Sequence, residues 1–453
     1  MFHSTLFKLG FTCKYKHFMR LYNEAKKAQY MPYDVLKQNQ EKKLRKLILF
    51  AYHNVPYYHK LFKKLNLKPE DIRTIEDLQK LPILTKEIIK KNQKDFIPNN
   101  LSKQKYINGS TGGSTGQPLQ YRISIEDALL DVVLFYVNCE QAGYRLGDKM
   151  AVFAGSQLVP STKSSLVKKI KGWIINTKYF SSFDMSDRYL DKVVEDLNRF
   201  KPRFLRGYAS SVFLLAKHIA DKNLELKFEV KGVFTSSEVL FDYQRALIEE
   251  VFNCKVFDQY SQNDGGASMF ECEKHNGLHI DMFRSIVEVV DEEGKQLDRG
   301  TGHILATSLH NYAMPFIRYD TGDMGILSDK KCDCGREMPL MEKIIGRVSD
   351  FIYAPNGNRI HGEFFSHIFR SLDGGYMRFS WVKEFQIVQR KINELTIKIV
   401  PDDARNINDS DLNKLKEIIL NRTGEMDITI EIVDKIERTK AGKWKFIINE
   451  VKS

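Results

Sequence analysis

Between residues 186 and 262 the sequence alternates helical periodicity with short apolar runs, and few folds accept that pattern. Leu190, Val193, Val194 and Leu197 recur at the spacing that gives a helix one apolar stripe. The run Phe204-Leu205-Arg206-Gly207-Tyr208 then predicts a short strand, and helix 210–221, strand 232–236, helix 241–252 and strand 255–260 continue the series. Strands joined through intervening helices pair in parallel, so the stretch predicts an α/β layer. Ligands of such sheets bind beyond the carboxyl ends of the strands.

The flanks differ. Residues 40–100 predict helices, with Leu44, Leu47, Ile48 and Ala51 at helical spacing, and end in the proline-punctuated run Leu81-Pro82-Ile83-Leu84. A helix over 125–142 opens after Ser124, with Asp127 three residues on as a weak capping box. Residues 284–330 turn to strands, including Ile286 to Val290 and the turn at 291–294, which predicts a β-rich subdomain. After about 350 come strands at 384–390 and 394–400, a helix at 411–421 and a strand at 427–433, a small α+β unit. A chain of 453 residues exceeds one ordinary core. We therefore expect a basic extension over 1–39, a core domain over 40–347 and a mobile C-terminal lid over 348–453.

The formal charge of +12 suits anionic partners, but Lys and Arg are scattered and form no helix-turn-helix, zinc-finger or RNP signature, so no specific nucleic acid is expected. Apolar runs such as Leu47 to Tyr52 fall short of the roughly 20 residues of a membrane helix, and no signal peptide opens the chain; it reads as cytoplasmic. In the first thirty residues Lys8, Lys14, Lys16, Arg20, Lys26 and Lys27 face only Glu24, beside Phe7, Leu9, Phe18, Met19, Leu21 and Tyr22. Two readings stay open there, peripheral membrane contact and a basic helix packed on the body.

The strongest local signal is Asn108-Gly-Ser-Thr-Gly-Gly-Ser-Thr-Gly-Gln-Pro118, four glycines and four hydroxyl side chains in eleven residues. Glycine lets backbone N–H groups close on phosphate oxygens, although no Gly-Lys-Ser/Thr ends the loop as in a Walker sequence. Four further segments follow in order: Gln259 to Asp264, Tyr319-Asp-Thr-Gly-Asp323, Gly346-Arg-Val-Ser-Asp350, and Arg438-Thr-Lys-Ala-Gly-Lys443.

With those five segments in that order, the chain from about residue 40 onward resembles the acyl-adenylate-forming superfamily, in particular its phenylacetate-CoA ligase-like branch with capsular-polysaccharide-associated and deazaflavin adenylyltransferase relatives. The resemblance implies a large adenylate-forming domain with a small mobile lid, and ATP-dependent activation of a carboxylic acid as an acyl-adenylate. Transfer to CoA or an amine would follow, in polysaccharide or secondary metabolite biosynthesis. Adenylylation of a hydroxyl, or a degenerate nucleotide-binding protein, are the alternatives.

By position, the resemblance makes Ser110, Thr111, Gly112, Gly113, Ser114, Thr115 and Gly116 the loop around the ATP phosphates, with Gln117 where relatives have lysine. Tyr260 would stack on adenine, Asn263 would lie near the α-phosphate, and Asp264 would stand for the family glutamate that holds Mg²⁺. Asp323 would accept hydrogen bonds from both ribose hydroxyls, and Arg347 would contact ribose or phosphate. Ser237, Glu238, Asp258 and Gln259, with Tyr208, would wall the pocket. Lys443 would stabilise charge as the carboxylate attacks the α-phosphate, while either Ser349 or Asp350 would be the hinge.

Six cysteines do not make a disulfide framework in a chain this long. Cys332 and Cys334, with Cys272 and His279 upstream, offer the ligand set of a closed structural Zn²⁺ site, and some members of the resembled branch carry zinc there. His275 is the alternative fourth ligand, and free thiols are the competing reading. Cys13, Cys139 and Cys254 read as ordinary core or surface residues.

Overall fold

The computed structural model describes residues 2–111, 119–154, 172–183, 185–347, 351–357, 359–370, 372–373, 376–377, 379, 381–401, 407, 409–439 and 443–451. Of the predicted site, Gly112 to Gly116, Gln117, Ser349 and Asp350 lie outside the described residues. The chain divides into two compact units: Met1–Leu240 with Arg245–Ile345, and Phe241–Gln244 with Gly346–Ser453.

In the first unit, α1 (Phe2–Lys14), α2 (Phe18–Ala28), α3 (Tyr33–Asn54), α4 (Pro56–Lys64) and α5 (Lys86–Lys91) precede a hairpin of β1 (Tyr106–Ser110) and β2 (Gln120–Ser124). Helix α6 (Ile125–Cys139) follows at once. Its N-terminus is fixed by the Ser124 hydroxyl, which accepts from the Asp127 N–H at 3.3 Å, and Glu126 and Asp127 in the first turn suit the helix dipole. The predicted box is only half made. The Asp127 carboxylate turns inward to Arg284 at 3.1 Å instead of back to the Ser124 N–H, which donates to Asn311. The helix also ends earlier than predicted, at Cys139, where a 3₁₀ turn over Glu140–Ala142 leads to Gly143 at φ +76°.

The large sheet comprises β3 (Met150–Ala154), β4 (Thr177–Ser181), β5 (Phe204–Gly207), β6 (Gly232–Ser236), β7 (Lys255–Ser261), β8 (Ser268–Glu271), β9 (Leu278–Ile280), β10 (Ser285–Val290), β11 (Gly300–Ser308), β12 (Tyr319–Ser328) and β13 (Leu340–Arg347). Their order is 10-11-12-13-9-8-7-6-5-3-4. Strands β4-β3-β5-β6-β7 are parallel, crossed by α7 (Asp187–Phe200), α8 (Ala209–Asp221) and α9 (Asp242–Phe252), as the alternation predicts. Beyond β7 the pairing turns antiparallel, which is the β-rich part.

The N-terminal helices pack on the body. Phe7 and Phe18 are fully buried, Leu21, Tyr22 and Ala25 nearly so, and Phe7, Phe11 and Phe18 gather around Tyr136 of α6. The apolar face that membrane contact would need is thus occupied by α6, leaving Leu9 exposed. Among the described residues no helix is long and apolar enough to cross a membrane.

The second unit holds two separate short pairs, β14 (Phe351–Tyr353) with β15 (Arg359–His361) and β16 (Leu372–Asp373) with β17 (Tyr376–Met377), and a four-stranded sheet of β18 (Val382–Lys391), β19 (Glu394–Pro401), β20 (Asp427–Ile432) and β21 (Ile447–Asn449). Helices α10 (Glu363–Arg370) and α11 (Asp409–Thr423) accompany it. Its core contains Phe365, Phe369, Phe379, Trp381, Phe385 and Ile387. The sheet and α11 match the predicted α+β pattern.

Candidate active site beyond the parallel strands

The hydrogen-bonded heart of the site is a meeting of residues 259–264, which leave β7, with the first residues of β12. The β11–β12 ladder pairs Leu305 with Asp320 and then His303 with Met324, so Thr321, Gly322 and Asp323 face the single residue Ile304. Such a bulge re-aims side chains. Gly322 takes φ +77°, the Asp320 carboxylate accepts from the Gly322 N–H at 2.8 Å, and the Thr321 hydroxyl donates to the Ile304 carbonyl at 2.8 Å. The Asp323 carboxylate is thereby delivered to the Tyr260 hydroxyl, which donates to it at 2.8 Å. Gln262 adds a long contact, its amide donating to the Thr321 carbonyl at 3.4 Å.

Asp264 is buried, and the Tyr319 hydroxyl donates to one of its oxygens at 2.6 Å. Burial pushes this carboxyl above the usual range, opposed by the Tyr319 hydrogen bond and the Lys86 charge. The sequence shows Tyr319 only as the first residue of its segment, with no role, and gives no sign of Lys86. Lys86 arrives because Leu84 bonds to β12, its N–H donating to the Arg318 carbonyl at 3.0 Å and its carbonyl accepting from the Asp320 N–H at 2.9 Å. Thr85 then caps α5, accepting from the Ile88 N–H, and the Lys86 ammonium donates to the Thr321 carbonyl at 3.3 Å. A cation thus stands beside the acidic cluster.

The other predicted residues fall in distinct places. Ser110 is exposed at the end of β1; the Thr111 N–H donates to the Leu119 carbonyl at 3.0 Å, and the Thr111 hydroxyl accepts from the Leu119 N–H at 3.0 Å. Ser237, just past β6, holds φ +71°, a region that costs a non-glycine residue strain. The Glu238 carboxylate accepts from the Ser210 N–H at 3.0 Å, at the start of α8, whose first residue follows Tyr208. Asp258 accepts from the Thr235 hydroxyl at 2.6 Å, and burial, then the neighbouring Glu271 charge, pushes it up to about 7. Gln259 is half-buried and Asn263 exposed.

In the second unit, Arg347 is exposed at the end of β13. The Lys443 N–H donates to the Thr439 hydroxyl at 3.1 Å and its carbonyl accepts from the Thr439 N–H at 2.9 Å. Arg438 donates to the Glu384 carboxylate of β18 at 2.9 Å, which ties the residue just before Thr439 to the sheet.

A second cluster gathers Cys272 after β8, His279 on β9, and Cys332 and Cys334 ahead of β13, with their ligand atoms all within 4.8 Å of one another. Tetrahedral zinc with Zn–S bonds of about 2.3 Å sets S···S edges of about 3.8 Å and S···N edges of about 3.5 Å. Cys272 and Cys332 sulfurs are 3.6 Å apart, and Cys334 Sγ lies 3.3 Å from His279 Nε2. The donor set therefore fits a closed site, and the Lys274 N–H points at Cys272 Sγ from 3.4 Å. Burial pulls His279 down to about 4, the neutral form that ligation needs. His275 is not the fourth member: it adopts φ +53° and its Nδ1 lies 3.3 Å from the Glu271 carboxylate. Cys139 is buried and Cys254 half-buried, both free, in line with ordinary residues; of Cys13 only the backbone is described.

Residues 352–450 match the family model described as the CapK C-terminal domain. Over 405 residues the chain is 28% identical to Protein CapK of Staphylococcus aureus, covering 88% of this chain and 86% of that protein. It is 25% identical over 343 residues to a phenylacetate-coenzyme A ligase of Thermus thermophilus, covering 71% and 72% of the two chains. In fold it is similar to 2-hydroxyisobutyryl-CoA ligase, solved in the postadenylation state in complex with 2-HIB-AMP. The TM-score is 0.73, with 20% identity over 93% of this chain and 91% of that one.

Proposed function

The chain belongs to the phenylacetate-CoA ligase-like branch of the adenylate-forming enzymes, and from that premise we propose that it converts a carboxylic acid and ATP into an acyl-adenylate and pyrophosphate, then passes the acyl group to CoA. The observation that carries this reading is the bulge that brings Asp323 to the Tyr260 hydroxyl.

A carboxylate has two acceptor oxygens, the number that the two ribose hydroxyls of ATP call for, and the Tyr260 hydroxyl fixes where that of Asp323 lies. Tyr260 supplies the aromatic face for adenine. The loop over 110–116, entered through Thr111, surrounds the phosphates with backbone N–H groups. Gln117 leaves that loop without a lysine, and Lys86 offers a positive charge from another direction, beside Asp264. Asp264 would hold Mg²⁺ through the oxygen that Tyr319 leaves open, and the ion when bound would neutralise phosphate charge. Asn263 and Arg347 contact phosphate or ribose, and Ser237, Glu238, Asp258 and Gln259 support the pocket wall.

The substrate carboxylate attacks the α-phosphorus in line; the bond to the pyrophosphate oxygen breaks and pyrophosphate leaves. Lys443 stabilises the negative charge that builds on the phosphoryl oxygens. The unit after residue 346 then acts as the lid, turning at Ser349 or Asp350 for the transfer step. Cys272, His279, Cys332 and Cys334 would hold a structural Zn²⁺ whose ligation fixes the loop before β13 against β9. An amine acceptor, or a place in polysaccharide or secondary metabolite biosynthesis, is compatible with this chemistry.

The test is acid-dependent exchange of labelled pyrophosphate into ATP across a broad acid panel. Exchange that requires the acid supports the reading. Exchange with no acid dependence, or none with any acid while ATP binds normally, would remove it.

A further inference from the structure

Several withdrawn guanidinium groups among the described residues are paired with carboxylates. Arg284 is fully buried and holds Asp127 and Asp131; Arg318 holds Glu288; Arg245 holds Glu271 at 2.6 Å. Arg206, half-buried in β5, has no hydrogen-bond acceptor and no carboxylate among the described residues. Its guanidinium lies over the ring of Phe135, 3.7 Å from the centroid. Stacking uses the flat face of the group and satisfies none of its five N–H donors, so the edge that matches a carboxylate stays unspoken for.

The register shows where that edge sits. Arg206 aligns with Phe234 of β6, which aligns with Phe257 of β7. Strand residues two apart share a face, so Ser236 and Gln259, which are register partners, lie on the same face one step nearer the carboxyl ends. Gln259 is the neighbour of Tyr260, where the nucleotide is assigned. From β7 to β5 is two strand spacings, about 10 Å. A short acid joined to the α-phosphate beside β7 would reach β5 with its far end.

We propose that Arg206 receives a second carboxylate at the far end of the substrate, so that the acid activated by this enzyme is a dicarboxylic acid. This inference rests on the acid-activating reading of the same cleft. A planar, bidentate partner suits a guanidinium already held flat on an aromatic ring. Phe135 fixes the plane of the fork, and the polar Ser236 and Gln259 lie along the route between the two ends.

The experiment compares glutarate and adipate with valerate and hexanoate as substrates of the full chain, in pyrophosphate exchange and in thermal stabilisation with AMP present. The expected result is a preference in kcat/KM for the diacids of at least about a hundredfold over monoacids of equal length, the scale of a charge-assisted bidentate pair. Arg206→Met should collapse that ratio, and Arg206→Lys should restore part of it. Circular dichroism and the thermal midpoint without ligand report whether the variants fold. A wild type that prefers the monoacids, or a ratio unmoved in Arg206→Met, overturns the inference and leaves the ligase reading standing. If no acid supports exchange, the binding arm decides. Diacid-specific stabilisation that Arg206→Met removes would keep the anion site and retire the ligase reading, whereas its absence in the wild type would retire the anion site.

Discussion

Two clusters in the large unit are assembled from distant sequence, and they are held in opposite ways. Around Tyr260, Asp264 and Asp323, each carboxylate is tied to a tyrosine hydroxyl. Around Cys272, His279, Cys332 and Cys334, the donor atoms face one another. The first is positioned by its neighbours, by a bulge and a paired strand edge, and needs no ligand to exist. The second has its shape from mutual approach, which an ion would hold together. Losses at the first should therefore appear in binding and rate, and losses at the second in folding.

The largest effect should come from the second cluster. Replacing Cys332 and Cys334 together by serine should abolish bound zinc, expected at about one per chain, and lower the thermal midpoint by about 5 °C or more, because ligation energy is folding energy. Elemental analysis beside calorimetry checks this; full stability in the double variant would erase the contrast, and Cys139→Ser serves as the control.

Lys443→Ala should lower the rate of adenylate formation by about a hundredfold or more with the thermal midpoint unchanged, the scale of one lost charge stabiliser. Stopped-flow pyrophosphate release measures it. Asp323→Asn should raise the Kd for ATP by about thirtyfold, equivalent to about 2 kcal/mol for its hydrogen bonds. Calorimetric titration with ATP decides, and an unchanged Kd would take Asp323 out of the site.

How far these clusters were legible in the sequence follows from how local each feature is. The helices and parallel strands from 186 to 262 announce themselves through periodicity, and the motif order points to Tyr260 and Asp323. The bulge that joins those two was not legible, because it depends on Ile304 of the partner strand rather than on Tyr319 to Asp323 themselves. Lys86 was hidden for a similar reason: its place is set by Leu84 pairing with β12, more than two hundred residues away. The sequence offers His279 as the fourth ligand with His275 as the alternative, and the left-handed backbone of His275, with its contact to Glu271, separates them. Arg206 read only as part of an apolar strand run, since a sequence does not reveal that a guanidinium lacks a partner.

The smallest effect should come from Asp258, which lies outside both clusters and accepts from the Thr235 hydroxyl. Its carboxyl is pushed up to about 7, so below the ordinary carboxylate range it is neutral folded and unfolded alike. Between that range and pH 7 the folded state keeps a proton that the unfolded state has released. Stability from this group therefore falls as pH rises through 7. Asp258→Asn should flatten the decline in urea midpoint between pH 5 and 8, and a slope equal to wild type would contradict the assignment.

The central claim is that AMP is a transient carrier of an acyl group, and the most direct test is the mass of what leaves the enzyme. Incubation with ATP, Mg²⁺ and an accepted acid, with and without CoA, followed by mass spectrometry, should yield free AMP and an acyl thioester only when CoA is present, with one pyrophosphate released per AMP. A product in which AMP stays bonded to a hydroxyl, or ATP consumed without any acyl product, would contradict it.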